Sequence, residues 1–273
     1  MKKRKYDFFT IVCFIIMLIV LFFVGGIILI ITVRGLFAIS EHLREKETVF
    51  ALFLSIKTAL ISTIFCFLLA VPTAYVLTHV SIPLKGGIEI LLELTMTLPY
   101  IVFGLSLLIL FSSPLGKQLK ACGFAVVFDQ NGIIIAQLAV NLPFAIKLVV
   151  MAFREVNQKL ESVAALLGAS PFQRFYTILL PLCKNTLVSA FILIWSRALG
   201  EFGATLMLVG VTRMKTETLP GNIYLNVSTN HLEGALASAF LLLVLAAIAL
   251  FISNRITRGN KKNHRYVQEE RVR

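Results

Sequence analysis

Six long apolar runs limit what this chain can fold into more than any other feature of its sequence. A helix needs about 20 apolar residues to cross the hydrocarbon core of a bilayer. The runs that reach this length cover residues 8–33, 49–80, 88–111, 132–153, 183–211 and 232–254. The sequence therefore predicts an all-α integral membrane protein with about six transmembrane helices.

The overall composition favours a membrane protein over a soluble one. Of the 273 residues, 58% are hydrophobic and only 15% are charged, which is more apolar surface than a soluble domain of this length can bury. The formal net charge of +12 does not indicate nucleic-acid binding, because the basic residues of membrane proteins collect in cytoplasmic loops. We therefore expect membrane lipid, and no nucleic acid, among the partners.

The distribution of the apolar runs divides the chain into three parts. Residues 1–48 form a basic N-terminal segment and a first transmembrane helix, residues 49–254 form the transmembrane core, and residues 255–273 form a basic tail. The basic cluster Lys2–Lys5 resembles the start of a signal peptide, but the apolar run behind it exceeds the 7–15 residues of a signal sequence. We predict that the first helix is retained.

The lysines and arginines outside the apolar runs predict the orientation in the membrane. With the N-terminus inside, the inner segments and the tail hold 15 of these residues and the outer loops hold 7. Basic residues are enriched in the cytoplasmic segments of membrane proteins. We therefore expect a multi-pass protein of the cell (cytoplasmic) membrane with both termini in the cytoplasm.

A polar interruption at residues 157–175 separates the fourth run from the fifth and carries the strongest functional signal. Gly168 can take the left-handed conformation that ends a helix, and Pro171 suits the first position of the next one. The pattern predicts a short helix from about Asn157 to Leu167, followed by a second turn, which together form an elbow parallel to the membrane. The alternative is a simple interfacial linker between two spans.

The chain carries no pattern for catalysis, nucleotide binding or metal binding. It contains no G-x-x-x-x-G-K-[ST] phosphate loop, no H-E-x-x-H sequence and no C-x-x-C pair. We predict that the protein is not an enzyme, that it has no metal site and that it binds no cofactor itself.

The interruption resembles the coupling segment of binding-protein-dependent ABC transporter permeases. The motif of that family is E-A-A, three residues, glycine, nine residues and I-x-L-P. Gly168, Ile178, Leu180 and Pro181 stand at this spacing, whereas Ser162 stands where the motif has its glutamate. Glu161 lies one residue early and is an alternative acidic contact. The residues that the resemblance assigns to coupling with an ATPase are Glu161, Ser162, Val163, Ala164, Gly168, Ala169, Ser170, Pro171, Ile178, Leu180 and Pro181.

The fifth run narrows the resemblance to one branch of this family. Its segment RALGEFGAT, residues 197–205, is similar to a stretch of molybdate/tungstate permeases, as are Thr218-Leu219-Pro220 and Ile223-Tyr224. We interpret this segment as part of a pore or gate. The residues assigned to it are Arg197, Gly200, Glu201, Phe202, Gly203 and Thr205.

Two charges in the gate segment are four residues apart, which places them on one face of a continuous helix. Arg197 and Glu201 are therefore expected to form a pair, because charges inside a span are costly and face the bundle interior. Gly200 and Gly203 leave room for a close helix approach. Whether the pair only fixes helix packing or acts as a hinge or gate stays open at this point.

The resemblance implies a complete transport system around this chain. It implies a permease of the type I ABC importer kind that works as two identical copies. Two cytoplasmic ATPase subunits would use ATP, and an extracytoplasmic binding protein would deliver a tetrahedral oxyanion, molybdate or tungstate. Two alternatives remain: a sulfate permease of the same superfamily, and a self-contained secondary transporter. A secondary transporter should show inverted repeats and membrane-embedded carboxylates, and no repeat is evident.

Overall fold

The computed structural model describes the backbone of residues 7–272 and the side chains of residues 7–257. The basic cluster Lys2–Lys5, and the side chains of the basic tail beyond Thr257, lie outside the described residues. Within the described backbone, every regular element is a helix. The predicted all-α class is therefore confirmed.

Five helices are long and apolar enough to cross a membrane. They are α1 (Phe8–His42), α2 (Lys46–His79), α6 (Gln130–Arg154), α9 (Leu180–Leu199, preceded without a break by shorter helical turns) and α12 (Leu232–Val272). The shorter helices are α3 (Lys85–Thr97), α4 (Tyr100–Ser112), α5 (Pro114–Ala121), α7 (Gln158–Leu166), α8 (Pro171–Arg174), α10 (Gly203–Val209) and α11 (Leu219–Ser228). Counting α3 and α4 as one broken span gives the six that the sequence predicts.

The third predicted span is not one continuous helix. α3 and α4 meet at Pro99 with a bend of 106°. Leu98, before the proline, has extended backbone angles (φ −68°, ψ 139°), as the proline ring requires of its predecessor. Pro72 and Pro143 lie inside α2 and α6 without ending them. Of these three prolines, only Pro99 breaks its helix.

The fifth predicted span, 183–211, is also shorter than expected. α9 ends at Leu199, and a separate short helix, α10, begins at Gly203. Gly200 stands at the end of α9 with φ −89° and ψ 0°, so the helix stops inside the gate segment. This break changes which residues of that segment can meet.

The core of the bundle is built by α2 and α6, which pack along each other, with α9 beside both. Small residues line these contacts: Ala59, Ala70 and Ala74 of α2 and Ala136 and Ala145 of α6 are fully buried, with Ala59 packed against Ala198 and Leu199 of α9. Small side chains allow close helix approach, which is how spans associate in lipid. α12 packs against α9 and α11, and α1 packs on the outside against α12.

Candidate functional site

The elbow is a rigid, locally stabilised structure. α7 begins after Asn157, whose side-chain oxygen accepts a hydrogen bond of 3.0 Å from the amide of Lys159. The helix ends at Leu166, and Gly168, two residues further, has φ +87°, a left-handed conformation that glycine adopts at little cost. A Cβ at Gly168 would meet no atom within 4 Å. The glycine is therefore required by its backbone conformation and not by lack of space.

The second turn of the elbow is fixed by a capping box. The Ser170 hydroxyl accepts from the Gln173 amide at 3.2 Å, and the Gln173 side chain accepts from the Ser170 amide at 2.8 Å. Pro171 occupies the first turn of α8, where its missing N–H costs nothing. A five-residue π-helix, Phe175–Leu179, then leads directly into α9. The predicted helix, glycine and second turn are all present.

The elbow exposes apolar side chains that nothing in the described chain covers. We call this set the elbow surface. Its members, with their exposed fractions, are Val163 (55%), Leu166 (88%), Leu167 (83%), Phe172 (75%) and Tyr176 (65%). They lie at one end of the bundle, on the loop between α6 and α9. Contiguous exposed apolar side chains of this kind mark interaction sites.

The two residues at the start of the coupling motif point in opposite directions. Ser162, at the motif's glutamate position, is exposed and donates its hydroxyl proton to the Gln158 carbonyl oxygen at 3.0 Å. Glu161 is buried, and its carboxylate lies 3.1 Å from Nε2 of His79 at the end of α2. In the described chain, the acidic group therefore faces inward and the serine faces outward.

The remaining coupling residues join the elbow to the bundle. Ala164 and Ala169 are partly buried on the elbow itself. Ile178 lies in the π-helix and Leu180 begins α9, both partly buried, while Pro181 occupies the first turn of α9. The structure thus brings the motif residues into one continuous segment.

The expected pairing of Arg197 with Glu201 is wrong. Among the described residues no ion pair joins them. The reason is the end of α9 at Leu199, which removes the continuous helix that would have placed both on one face. Each side chain has other partners instead.

Arg197 contacts aromatic residues of two other helices. Its guanidinium donates to the Tyr100 hydroxyl at the start of α4. It also lies 4.8 Å from the ring centre of Phe144 in α6 and 5.6 Å from that of Tyr100. Cation–π contacts of this kind hold a charge in an apolar environment. Arg197 therefore ties the end of α9 to α4 and α6.

Glu201 organises the start of α10. Its carboxylate accepts from the amide of Ala204 at 2.8 Å, from the amide of Thr205 at 3.3 Å and from the Thr205 hydroxyl. The first amides of a helix have no partner within the helix, so a carboxylate here satisfies them and stabilises the helix start. Glu201 and Thr205 are both buried.

The two glycines of the gate segment have different roles. Gly203 allows close packing, since a Cβ there would lie 3.2 Å from Cβ of Tyr100. Gly104 of α4 likewise allows close packing against α10, because a Cβ added at Gly104 would lie 2.6 Å from Cα of Ala204. Gly200 meets nothing closer than 3.8 Å, so the expectation of close approach is wrong for Gly200.

The ring of Phe202 lies 5.4 Å from that of Tyr224 in α11.

Three residues of this region escaped the sequence analysis. Tyr100 and Phe144 hold Arg197, and Gln137 of α6 donates to the Ala198 carbonyl oxygen at 3.0 Å. Gln137 is a buried amide in an apolar run, which is a detectable sign of a polar contact inside a bundle. Tyr100 and Phe144 carry no such sign, because aromatic residues are common in any span.

The comparisons with known proteins agree with this architecture. Residues 67–262 match the family model described as "Binding-protein-dependent transport system inner membrane component". The chain is 39% identical over 202 residues to the molybdenum transport system permease protein ModB of Mycobacterium tuberculosis, covering 73% of this chain and 76% of that protein.

Two further proteins resemble the chain more distantly. The sulfate transport system permease protein CysW of Escherichia coli is 27% identical over 239 residues, covering 87% of this chain and 82% of that protein. A crystal structure of a bacterial alginate ABC transporter, in complex with its alginate pentasaccharide-bound periplasmic protein, contains a chain that matches with a TM-score of 0.67. That match covers 91% of this chain and 93% of the other at 16% identity, which shows the fold alone.

The family match over most of the chain, and the 39% identity to a molybdenum permease, confirm the resemblance drawn from the coupling motif and the gate segment. This chain belongs to the binding-protein-dependent transport system inner membrane components, the permease subunits of ABC importers.

Proposed function

We propose that this permease imports a tetrahedral oxyanion, molybdate or tungstate, in an ATP-driven transporter. The gate segment RALGEFGAT and the 39% identity to a molybdenum permease support this choice of substrate. The protein is the pore-forming subunit and performs no chemistry. ATP is hydrolysed by partner subunits, and no cofactor is held by this chain.

The elbow surface is the observation that carries this proposal. Its five apolar side chains, three of them more than 70% exposed, project from a segment whose backbone is fixed by two caps and a left-handed glycine. A rigid apolar projection fits a groove on a soluble partner, because burying such side chains drives association. The partner is a cytoplasmic ATPase, which places the elbow and both termini on the cytoplasmic side, in agreement with the basic-residue bias.

The other partners follow from the same assembly. Two copies of the chain form the pathway, with one ATPase on each elbow. An extracytoplasmic binding protein docks at the opposite end of the bundle and delivers the anion. The alginate transporter of the same fold is a complex with a periplasmic protein, which supports this arrangement.

The gate segment controls passage without holding the anion tightly. Arg197 is held in the bundle by Tyr100 and Phe144, and Glu201 caps the start of α10, so both charged residues have roles in the packing of the gate segment in this conformation. A path that conducts must bind weakly enough to release. Selectivity therefore resides chiefly in the binding protein, and the breaks at Pro99 and Gly200 provide the joints about which the gate opens.

Sulfate is the second candidate substrate. The 27% identity to CysW over 87% of this chain favours it, and sulfate shares the tetrahedral geometry of molybdate. The two candidates differ in substrate only, because both require the same assembly.

The test is uptake by a reconstituted complex. The permease is placed in proteoliposomes with its partner ATPase and binding protein, and uptake of molybdate, tungstate and sulfate is measured with and without ATP. We expect ATP-dependent uptake of molybdate or tungstate. Sulfate uptake alone would overturn the substrate, and uptake that needs neither ATP nor the binding protein would overturn the proposed function.

A further inference from the structure

A buried pair joins the elbow to the longest helix of the core. The carboxylate of Glu161 in α7 lies 3.1 Å from Nε2 of His79, the last residue of α2. The two side chains are only 9% and 19% exposed. Nδ1 of His79 lies 2.6 Å from the Thr78 hydroxyl, so both ring nitrogens have partners and the imidazole is fixed in orientation.

Aromatic rings surround this pair on three elements. His79 stacks on Tyr75, one turn earlier in α2, with ring centres 4.7 Å apart and planes 11° apart. Phe153 of α6 meets His79 edge-on at 6.3 Å. Phe175 of the π-helix meets Tyr75 at 5.3 Å and Phe153 at 6.3 Å. Rings in such arrangements resist displacement, because each geometry is specific.

Among the described residues, His79 is the only hydrogen-bond partner of the Glu161 carboxylate. A buried carboxylate without a partner is unfavourable, so α7 and the end of α2 are held together by more than apolar contact. Packing alone would be satisfied by an apolar residue at position 161. The charged residue instead makes the contact directional, because it requires one orientation of α7 relative to His79.

Helix α2 extends this contact to the other end of the protein. It runs unbroken over 34 residues, about 50 Å at the rise of an α-helix. Near its other end, the Ser55 hydroxyl accepts from the Leu219 amide at the start of α11 at 2.7 Å, and Glu47 pairs with Arg213. One continuous helix, with Pro72 inside it, therefore contacts the elbow at one end and the α10–α11 connection at the other.

We propose that Glu161 and His79 form the internal link through which displacement of the elbow moves α2. In this role Glu161 does not contact the ATPase, because its carboxylate faces His79 in the interior of the chain. Ser162, at the motif's glutamate position, faces outward without an acidic group. Glu161 and His79 are positioning residues that act on the pathway through α2. The inference rests on the proposed function, since it requires an ATPase on the elbow.

The decisive variants separate the hydrogen bond from the packing. His79→Phe keeps a ring for Tyr75 and Phe153 but cannot donate to Glu161. Glu161→Leu removes the acceptor, and Glu161→Gln keeps an oxygen that can accept from Nε2. Ser40→Ala is the control, because Ser40 is exposed on the outer helix α1 and, among the described residues, its hydroxyl bonds only to the Phe37 carbonyl oxygen of its own helix, at 2.9 Å. All are assembled with the ATPase and the binding protein in proteoliposomes, and complex formation and thermal stability are recorded first.

The measured quantity is anion uptake per ATP hydrolysed. Losing a hydrogen bond to a charged group corresponds to a change of about tenfold or more, so we expect His79→Phe and Glu161→Leu each to lower this ratio about tenfold in assembled complexes. The double variant should be no worse than either single one, since both remove the same link. Glu161→Gln should retain most coupling, and Ser40→Ala should be unchanged.

Any other result would contradict the inference. Unchanged coupling in His79→Phe would exclude the link, and additive losses in the double variant would show independent roles. Equal losses of uptake and complex stability, with the ratio preserved, would reduce the pair to a structural contact. Wild-type complexes lacking ATP-driven uptake would instead overturn the proposed function, so the two failures are distinguishable.

Discussion

The elbow and the gate segment are stabilised in different ways. The backbone turns of the elbow are formed by bonds between residues at most five apart, from Asn157, Ala164, Ser170 and Gln173. Glu161 joins the elbow to α2, and the large apolar side chains of the elbow are exposed. In the gate segment, Arg197 is held by distant helices through Tyr100 and Phe144, whereas Glu201 caps the adjacent start of α10. A surface formed by local bonds keeps its shape while a partner binds and leaves. A gate formed by long-range contacts opens only when those helices move.

The largest effect is expected from the backbone of the elbow. Gly168→Val places a β-branched residue at φ +87°, where a non-glycine residue costs about 1–3 kcal/mol or leaves that conformation. We expect the spans to insert and ATP-driven uptake to be lost. Gly168→Asn, which tolerates the left-handed region, should keep much of the activity. Normal uptake by the valine variant would show that the elbow does not depend on this turn.

The next effect concerns the elbow surface itself. Leu166 is 88% exposed, so Leu166→Asp should change the stability of the isolated permease by less than about 0.5 kcal/mol. Binding of the ATPase should weaken about tenfold or more, because burying a leucine contributes about 1.5–3 kcal/mol. The control is Leu232→Asp, an exposed leucine on α12. Binding of the ATPase is measured by co-purification and titration. If both variants bound it equally well, the elbow surface would not be part of the interface.

Substitutions in the gate segment should lower the stability of the permease and leave binding of its partners unchanged. Glu201→Ala leaves the amides of Ala204 and Thr205 without their acceptor, which costs about 1–3 kcal/mol. Glu201→Gln retains one acceptor oxygen and should lie between this variant and the wild type. Thermal unfolding in detergent gives the order, and the ratio of molybdate to sulfate uptake should stay constant. A changed ratio would assign a selectivity site to this segment.

The smallest effect is expected at Tyr100. Tyr100→Phe removes the hydroxyl that accepts from Arg197 but keeps the ring near the guanidinium. We expect a loss of about 1 kcal/mol in stability, measured by the same unfolding experiment, with ATPase binding unchanged. A loss as large as that of Glu201→Ala would mean that the hydroxyl, and not the aromatic environment, holds Arg197.

The two regions also differ in how far they could be predicted from the sequence. The elbow depends on signals within a few residues: a capping Asn157 and Ser170, a glycine at the helix end and a proline at the next start. Each acts through its immediate neighbours, so the local sequence determines the backbone.

The gate segment depends on residues far apart in the chain. Tyr100 meets Arg197 across 97 positions, and no local pattern indicates such a contact. The end of α9 was easier to predict from the sequence, since Gly200 followed by an acidic residue fits a helix end and a new helix start. Reading Arg197 and Glu201 as neighbours on one helix overlooked that signal. The 106° bend at Pro99 accompanies the packing of α4 on α10, which is a contact between distant segments that no local pattern indicates.

The most direct test of the account is the accessibility of the elbow surface in assembled membranes. The four native cysteines are first replaced by serine, and single cysteines are placed at Leu166 and at Ser228, which is exposed at the end of α11. We predict that an impermeant thiol reagent labels Ser228→Cys in intact cells and Leu166→Cys only in inverted vesicles. Adding the ATPase should protect Leu166→Cys and leave Ser228→Cys unaffected. Labelling of Leu166→Cys from outside intact cells, or no protection by the ATPase, would contradict the elbow as the site of coupling.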